Sequence, residues 1–278
     1  IFWLLFTFMG GTYFLISDES KTEIYSVTLA KIQLAILTLG GVAAIVGYIM
    51  GISWGMPFLE QPTIIKLGIA LAAVIFLFNI FMTMYRAKRW TGIQGVLLAG
   101  LALLAVMFLF GIPFMKNLTT QYYYWWWVIH LWVEGSWELI ASALMAWALI
   151  KLTGVDRQVV EKWVYIEVAL VLFTGIVGTG HHYYWIGTPK YWLWVGGVFS
   201  ALEPLPILLM TMDTFRHVRE RKTITSNRLA LYWLVGSAFV HFVGAGVWGF
   251  AQTLPMVNKW THGTQITASH GHFAFYGA

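Results

Sequence analysis

No cysteine occurs among the 278 residues, so a disulfide framework and a thiolate metal centre are both excluded, and any metal must be held by nitrogen and oxygen ligands. Charge is also scarce. Twelve acidic and 17 basic side chains cannot clothe a water-soluble globule of this size, which excludes the soluble enzyme classes. Glycine-rich stretches such as Gly244-Ala245-Gly246 follow no strand, so they read as helix-packing surfaces and not as phosphate loops. What fills the chain instead is apolar: 59% of residues are hydrophobic and 17% aromatic, the composition of a protein solvated by lipid.

Apolar runs fall at 1–17, 26–50, 64–85, 92–112, 124–151, 160–182, 191–215, 227–251 and 263–278, with polar or Pro-containing breaks between them. A helix needs about 20 residues to cross the hydrocarbon, so the seven inner runs are whole spans and the outer two are partial. The chain opens on Ile1 and stops at Ala278 inside apolar runs, which reads as a fragment. No composition shift or repeat divides it. The expected architecture is all-α, a polytopic transmembrane helix bundle forming one domain over 1–278.

Orientation follows from the basic residues, because loops rich in Lys and Arg stay on the cytoplasmic side. One alternating set of connections carries thirteen of them, from Lys21 to Arg228; the other carries four, Lys66, Lys116, Lys190 and Lys259. The net charge of +5 is thereby explained by topology, leaving nucleic acid without support as a partner. In this orientation His130, His181, His182, His270 and His272, five of the eight histidines, lie in the outer half of the membrane. A lone intramembrane histidine is usually a bonded packing residue. Five at one depth on three spans point to function, since ionisable groups are costly in hydrocarbon. His217, among arginines at the inner surface, reads as solvated, His241 as a bonded core residue, and the cluster Tyr122 to Trp127 as an interfacial aromatic belt.

His130 and Glu134 are four apart on one span and face the same way, with Glu138 a turn further on. They suit metal ligation or a simple intrahelical hydrogen bond. His181 and His182 follow Gly178-Thr179-Gly180; adjacent residues diverge by about 100° in a regular helix, so the helix must distort there for both to reach one ion. Three imidazoles and a carboxylate suit a first-row divalent ion, the hard oxygen favouring iron over copper, with zinc open. His270 and His272 lie about 200° apart and cannot share an ion, so they serve two centres, as on a helix wedged between two haems, or simply face two neighbours. Glu203, mid-membrane beside Pro204 and Pro206, is a candidate proton carrier together with Glu138, or else a structural hydrogen-bonding group.

Three motifs now carry a family likeness: His130-Leu131-Trp132-Val133-Glu134-Gly135-Ser136-Trp137-Glu138-Leu139, Gly178-Thr179-Gly180-His181-His182-Tyr183-Tyr184-Trp185, and Thr261-His262-Gly263-Thr264-Gln265 running on to His270-Gly271-His272. Together they resemble the catalytic subunit of bacterial respiratory nitric oxide reductase, in the haem-copper oxidase superfamily, over essentially the whole chain. The resemblance implies nine full or partial spans of a twelve-helix subunit in the bacterial inner membrane, with the active site in its periplasmic half. It makes His130, Glu134, His181 and His182 ligands of a non-haem iron and His270 the ligand of a high-spin haem b. His272 becomes one ligand of a low-spin haem b, whose second axial histidine lies upstream of this chain, and His262 lies near the haem propionates.

The implied reaction converts two NO into N2O and water, with Glu134, Glu138, Glu203 and Glu60 as proton carriers. The implied partners are a membrane-anchored cytochrome c subunit, a soluble cytochrome c or cupredoxin as electron donor, and the lipid bilayer. The motif forms look like the cytochrome c-dependent branch. Pro57 stands where the family has the first of two glutamates, Glu60 matching the second, so calcium and the usual proton route are not carried over. Two alternatives stay open: an oxygen reductase, which would need a tyrosine where Glu134 stands, and a two-haem electron-transfer module without a second metal.

Overall fold

A computed structural model describes residues 2–221 and 227–274. Lys222 and the last four residues of the run expected at 263–278 lie outside the described residues. Among those described, every regular element is helical. Seven helical runs are long and apolar enough to cross a membrane: Val27–Ile49, Thr63–Ala87, Gly92–Phe110, Leu118–Thr153, Arg157–His182, Lys190–Arg221 and Arg228–Thr253. They coincide with the seven whole spans read from the sequence. The protein is a multi-pass membrane protein with the all-α bundle expected. The helices turn large apolar side chains outward, Leu39 at 71% and Ile49 at 81% exposure, a surface that is stable against lipid and not against water.

By internal contacts the chain divides into two compact units, Ile1–Ser136 and Trp137–Ala278. The first holds α1 (Phe2–Ser20), α2 (Val27–Ile49), α3 (Thr63–Ala87), α4 (Gly92–Phe110) and α5 (Leu118–His130). Its centre is α3, which packs on α1, α2 and α4. Start signals are chemical: Ser26 caps α2, Asn117 caps α5, and Thr91 with Gln94 forms a reciprocal capping box on α4. The Gln94 amide also donates to Ser20 Oγ at 2.8 Å, tying α4 to the end of α1. Asn79, wholly buried on α3, grips the turn before α2 by accepting from Ser26 N and donating to Ser26 O, both at 2.9 Å. The expected aromatic belt divides. Tyr122 is exposed, but Trp125 is fully buried in a core with Leu59, Phe108 and Val128, because one face of α5 turns inward.

The second unit holds α6 (Ser136–Thr153), α7 (Arg157–Gly178), α8 (Lys190–Ser200), α9 (Leu205–Arg221), α10 (Arg228–Val240), α11 (Trp248–Thr253), α12 (Pro255–Thr261) and α13 (Gln265–His272). Here α7 packs on α8 and α9. At one end of that packing Asp213 binds Lys162 Nζ at 2.5 Å and the Trp163 indole N–H at 3.1 Å. His217, expected to be solvated, is instead half-buried with Nδ1 2.9 Å from Asp213 O, because residues four apart on a helix lie on one face. At the other end the Tyr184 hydroxyl donates to Thr253 O at 2.5 Å, and burial pushes that phenol up to about 12.

Asn79→Leu leaves the Ser26 N–H without its partner, while the Ser26 C=O keeps the bond it accepts from Ala30 N. At about 1–3 kcal/mol for each orphaned buried group, the unfolding temperature in detergent should fall by several degrees. An unchanged melting curve would show that Asn79 is not the clamp described.

Candidate metal centre

Four interruptions of regular α-helix build the site. The first is a π-turn, Leu131–Gly135, between α5 and α6. It is held where the Ser136 hydroxyl donates to Leu131 O at 3.0 Å. The wider turn brings the wholly buried His130 face to face with Glu134, Nδ1 to Oε2 3.3 Å. Single π-turns carry a backbone cost and concentrate at functional positions. Glu138, half-buried, follows on α6.

The second is a 3₁₀ turn, Thr179–His182, that ends α7. This is the distortion that the adjacent histidines demanded. His181 and His182 bring their Nε2 atoms to 2.9 Å, with ring centroids 4.1 Å apart. Two nitrogens each about 2.1 Å from one ion stand about 3.0 Å apart when they subtend a right angle, so the pair already has ligand spacing. His181 Nδ1 meets Ser200 Oγ at 2.6 Å, which turns its Nε2 toward His182. The turn is possible because glycines let helices touch: a Cβ on Gly180 would strike the Trp192 carbonyl, and one on Gly196 would strike the His181 amide.

Together His130, Glu134, His181 and His182 form a group that could hold a metal ion, each offering one ligand atom, all within 4.8 Å of one another. No exposed acidic residue belongs to it: His130 is buried and the other three are partly so.

The third interruption is the break between α8 and α9, where Glu203 sits, 3% exposed, just ahead of Pro204 and Pro206. The fourth is a π-turn, His241–Val247, between α10 and α11. Its Gly244 carbonyl stands 3.1 Å from His270 Nδ1 on α13. With Nδ1–H donated there, Nε2 keeps its lone pair, the state an iron-binding imidazole needs. The ring lies against Gly249, where a Cβ would come within 2.5 Å of its Cε1. His272, two residues on, is exposed on the other side of α13. The two histidines therefore leave the helix in different directions, as their spacing requires. His262 is exposed at the end of α12, its ring 5.8 Å from Trp185. Glu60 is half-buried in the loop after α2, its Oε1 accepting from Phe58 N at 3.0 Å.

His241 is the core residue expected, with one ring nitrogen unmatched. It is buried at 8% exposure, and its Nδ1 has no hydrogen-bond partner among the described residues. The sequence reading also passed over Ser200 and the Gly244 carbonyl. Ser200 lies three residues before Glu203 and carries no local signal of its histidine. The Gly-Ala-Gly run was the only hint at Gly244.

Helices that cross a membrane, a histidine and carboxylate group fit for a metal, and a helix carrying two histidines back to back define a membrane protein of the haem and metal class. The chain belongs to the cytochrome c and quinol oxidase polypeptide I family, whose pattern it matches over residues 1–278. Membership implies haem and metal cofactors. The chain is also 49% identical, over 292 aligned residues, to a nitric oxide reductase subunit from Stutzerimonas stutzeri. That alignment covers all of this chain and 61% of the relative.

Ser200→Ala removes the partner that orients His181. Metal affinity should fall about 10–100-fold, read as earlier metal loss in a chelator titration of the purified protein. Retention equal to wild type would mean that Ser200 does not aim the ligand.

Proposed function

We propose that the complete protein is a respiratory nitric oxide reductase of the cytochrome c-dependent branch, reducing two NO to N2O and water with two electrons and two protons. In this reading residues 1–278 act as one transmembrane catalytic domain. His130, Glu134, His181 and His182 hold a non-haem iron, His270 ligates a high-spin haem b, and His272 ligates a low-spin haem b whose second histidine comes from outside this chain. The observation that carries the reading is the ligand set itself, three imidazoles and a carboxylate gathered within 4.8 Å. A carboxylate at position 134 favours iron, and it cannot replace the phenol that an oxygen reductase uses there. The relationship to the Stutzerimonas stutzeri nitric oxide reductase supports the same assignment.

When bound, the two irons would supply Lewis acidity to bind NO and electrons to reduce it, at a distance suited to coupling two nitrogens. The residues of the chain do the rest. The Ser200 hydroxyl and the Gly244 carbonyl fix the tautomers of His181 and His270, so that each offers Nε2. Glu203, buried beside a proline break whose freed carbonyls can hold water, passes protons toward the site, with Glu134, Glu138 and Glu60 as further carriers. His262 lies near the haem propionates. Calcium is left out of the scheme, Pro57 standing where its glutamate would be. The protein sits in the bacterial inner membrane with the site in the periplasmic half, and protons enter from that side. Its partners are a membrane-anchored cytochrome c subunit and a soluble cytochrome c or cupredoxin.

The test is a metal and haem count on the full-length protein with an assay of NO consumption. Wild type should carry two haems and one further iron. Glu134→Ala and His181→Ala should lose that iron while keeping the haem spectra. NO consumption should fall by more than about 100-fold, beyond what loss of one supporting hydrogen bond costs. Copper in place of iron, or variants that still consume NO, would overturn the proposal.

A further inference from the structure

The second unit buries a carboxyl that the scheme above does not use. Glu167 is 1% exposed and lies ten residues along α7 from Arg157, roughly 15 Å at 1.5 Å per residue. Neither of its oxygens has a hydrogen-bond partner among the described residues. The charged groups of the neighbouring helices do not answer it. On α9, which packs on α7, Asp213 binds Lys162 and meets His217, and Arg216 binds Glu220. The other packed helix, α8, offers only Lys190, exposed at its first residue. On α6 the ionisable groups are Glu138 and the exposed Lys151. An ionisable group placed inside a spanning helix is costly, and such groups mark function.

What approaches Glu167 is Ser142 on α6. This serine is also 1% exposed, and its hydroxyl acts on the carboxyl, yet its Oγ completes no hydrogen bond among the described residues. A hydroxyl donates, accepts and turns about one bond, so it suits the passage of a proton between two groups. The second group is Glu138, four residues before Ser142 on α6 and therefore on the same face. In the other direction the polar line stops. Toward the Lys151 end of α6 the next buried positions are Ala143, Ala146 and Leu149, and toward Arg157 on α7 they are Val164 and Val160. Thr153, beyond them, donates its hydroxyl to Leu149 O. Glu167 thus ends a line that is open only toward Glu138.

We propose that Glu167 is a proton store for the metal centre, emptied and refilled through Ser142 and Glu138. In discharge the carboxyl O–H of Glu167 breaks as its proton passes to Ser142 Oγ, the Ser142 hydroxyl proton passes to the Glu138 carboxylate, and Glu167 is left ionised. Refilling runs the same transfers in reverse, and no electron moves in either direction. The dead end distinguishes a store from a through route, since a path across the membrane needs polar groups beyond Glu167 and the positions there are apolar. Missing bonds distinguish it from a structural group: a buried side chain that holds the fold is bonded on both sides, as Asn79 is. A reaction that consumes two protons gains from one already inside, which need not wait for entry from the surface. The inference rests on the proton-carrying role of Glu138 proposed above.

The experiment uses the full-length, haem-loaded protein. NO consumption is measured first; a wild type that consumes none defeats the functional proposal itself. With an active wild type, time-resolved infrared difference spectra through a single turnover of the reduced protein with NO should show the loss and return of a carboxylic acid C=O band. In the same turnover a pH-indicator dye in the solvent should report proton uptake later than NO is consumed, because the store is refilled after it has discharged. Glu167→Gln keeps the shape of the side chain and cannot release the proton, so both the band and the lag should disappear. Ser142→Ala leaves the carboxyl in place and cuts the relay, and it should abolish the same two signals. If Glu167→Gln does not assemble, Ser142→Ala carries the test alone. Packing changes alone would slow turnover without removing the lag between the two signals. A band and lag that persist in either variant, or that are absent from active wild type, would overturn the inference.

Discussion

Hydrocarbon tolerates no unsatisfied backbone, and that constraint governs where this chain can place chemistry. A regular α-helix meets it for every residue, so each departure from regularity has a cost that something else must offset. The departures at Leu131–Gly135, Thr179–His182, the break before Leu205 and His241–Val247 fall beside Glu134, the His181 and His182 pair, Glu203 and the carbonyl that meets His270. The coincidence has a physical reason. Side chains on a regular helix point along directions fixed at about 100° intervals, and a ligand group needs directions that the interval does not supply. Widening or tightening one turn supplies them.

Glycine is the second half of the device. A turn can be distorted only if the neighbouring helix lets it approach, and the positions that allow this are Gly180, Gly196, Gly244, Gly246 and Gly249. At Gly180 and Gly196 two backbones meet directly, and His181 is carried on that contact. At Gly249 the contact is with the His270 ring itself. An added methyl would therefore act on the ligand and not only on packing, which ties the stability of these contacts to the geometry of the site.

What the sequence made legible follows from which forces are local. The seven spans were legible because hydropathy is summed over about twenty residues and errors average out. The distortion at His181 was legible because adjacent side chains on a helix have a known angle, and two of them cannot share an ion otherwise. The partners of those histidines were not. Ser200 is nineteen positions from His181 and the Gly244 carbonyl twenty-six from His270, and no local pattern encodes a hydrogen bond across such a separation. Trp125 and His217 were misread for a related reason. Each was assigned by membrane depth or by its sequence neighbours, whereas its environment is set by which face of the helix meets another. Lys66, a single lysine near a loop, looks solvated in the sequence, yet the fold covers it completely.

The choice of partners on the two best-defined imidazoles bears on how the bound metals would behave. A carboxylate on Nδ1 pulls the shared proton and makes the far nitrogen a stronger donor, stabilising the higher oxidation state of a bound iron; a hydroxyl or a peptide carbonyl fixes the tautomer with much less of that push. His181 meets a serine hydroxyl and His270 a glycine carbonyl. Both side chains are thus oriented through Nδ1 by an uncharged group. In the reductase proposed above, weaker donation would be the favourable choice, since it would leave the reduced metals within reach of modest donors. In that proposal the negative charge that balances the metal would come from Glu134 inside the group, where it would also limit which metal is held. Orientation comes from neutral groups and charge from one carboxylate, so a change in one need not disturb the other.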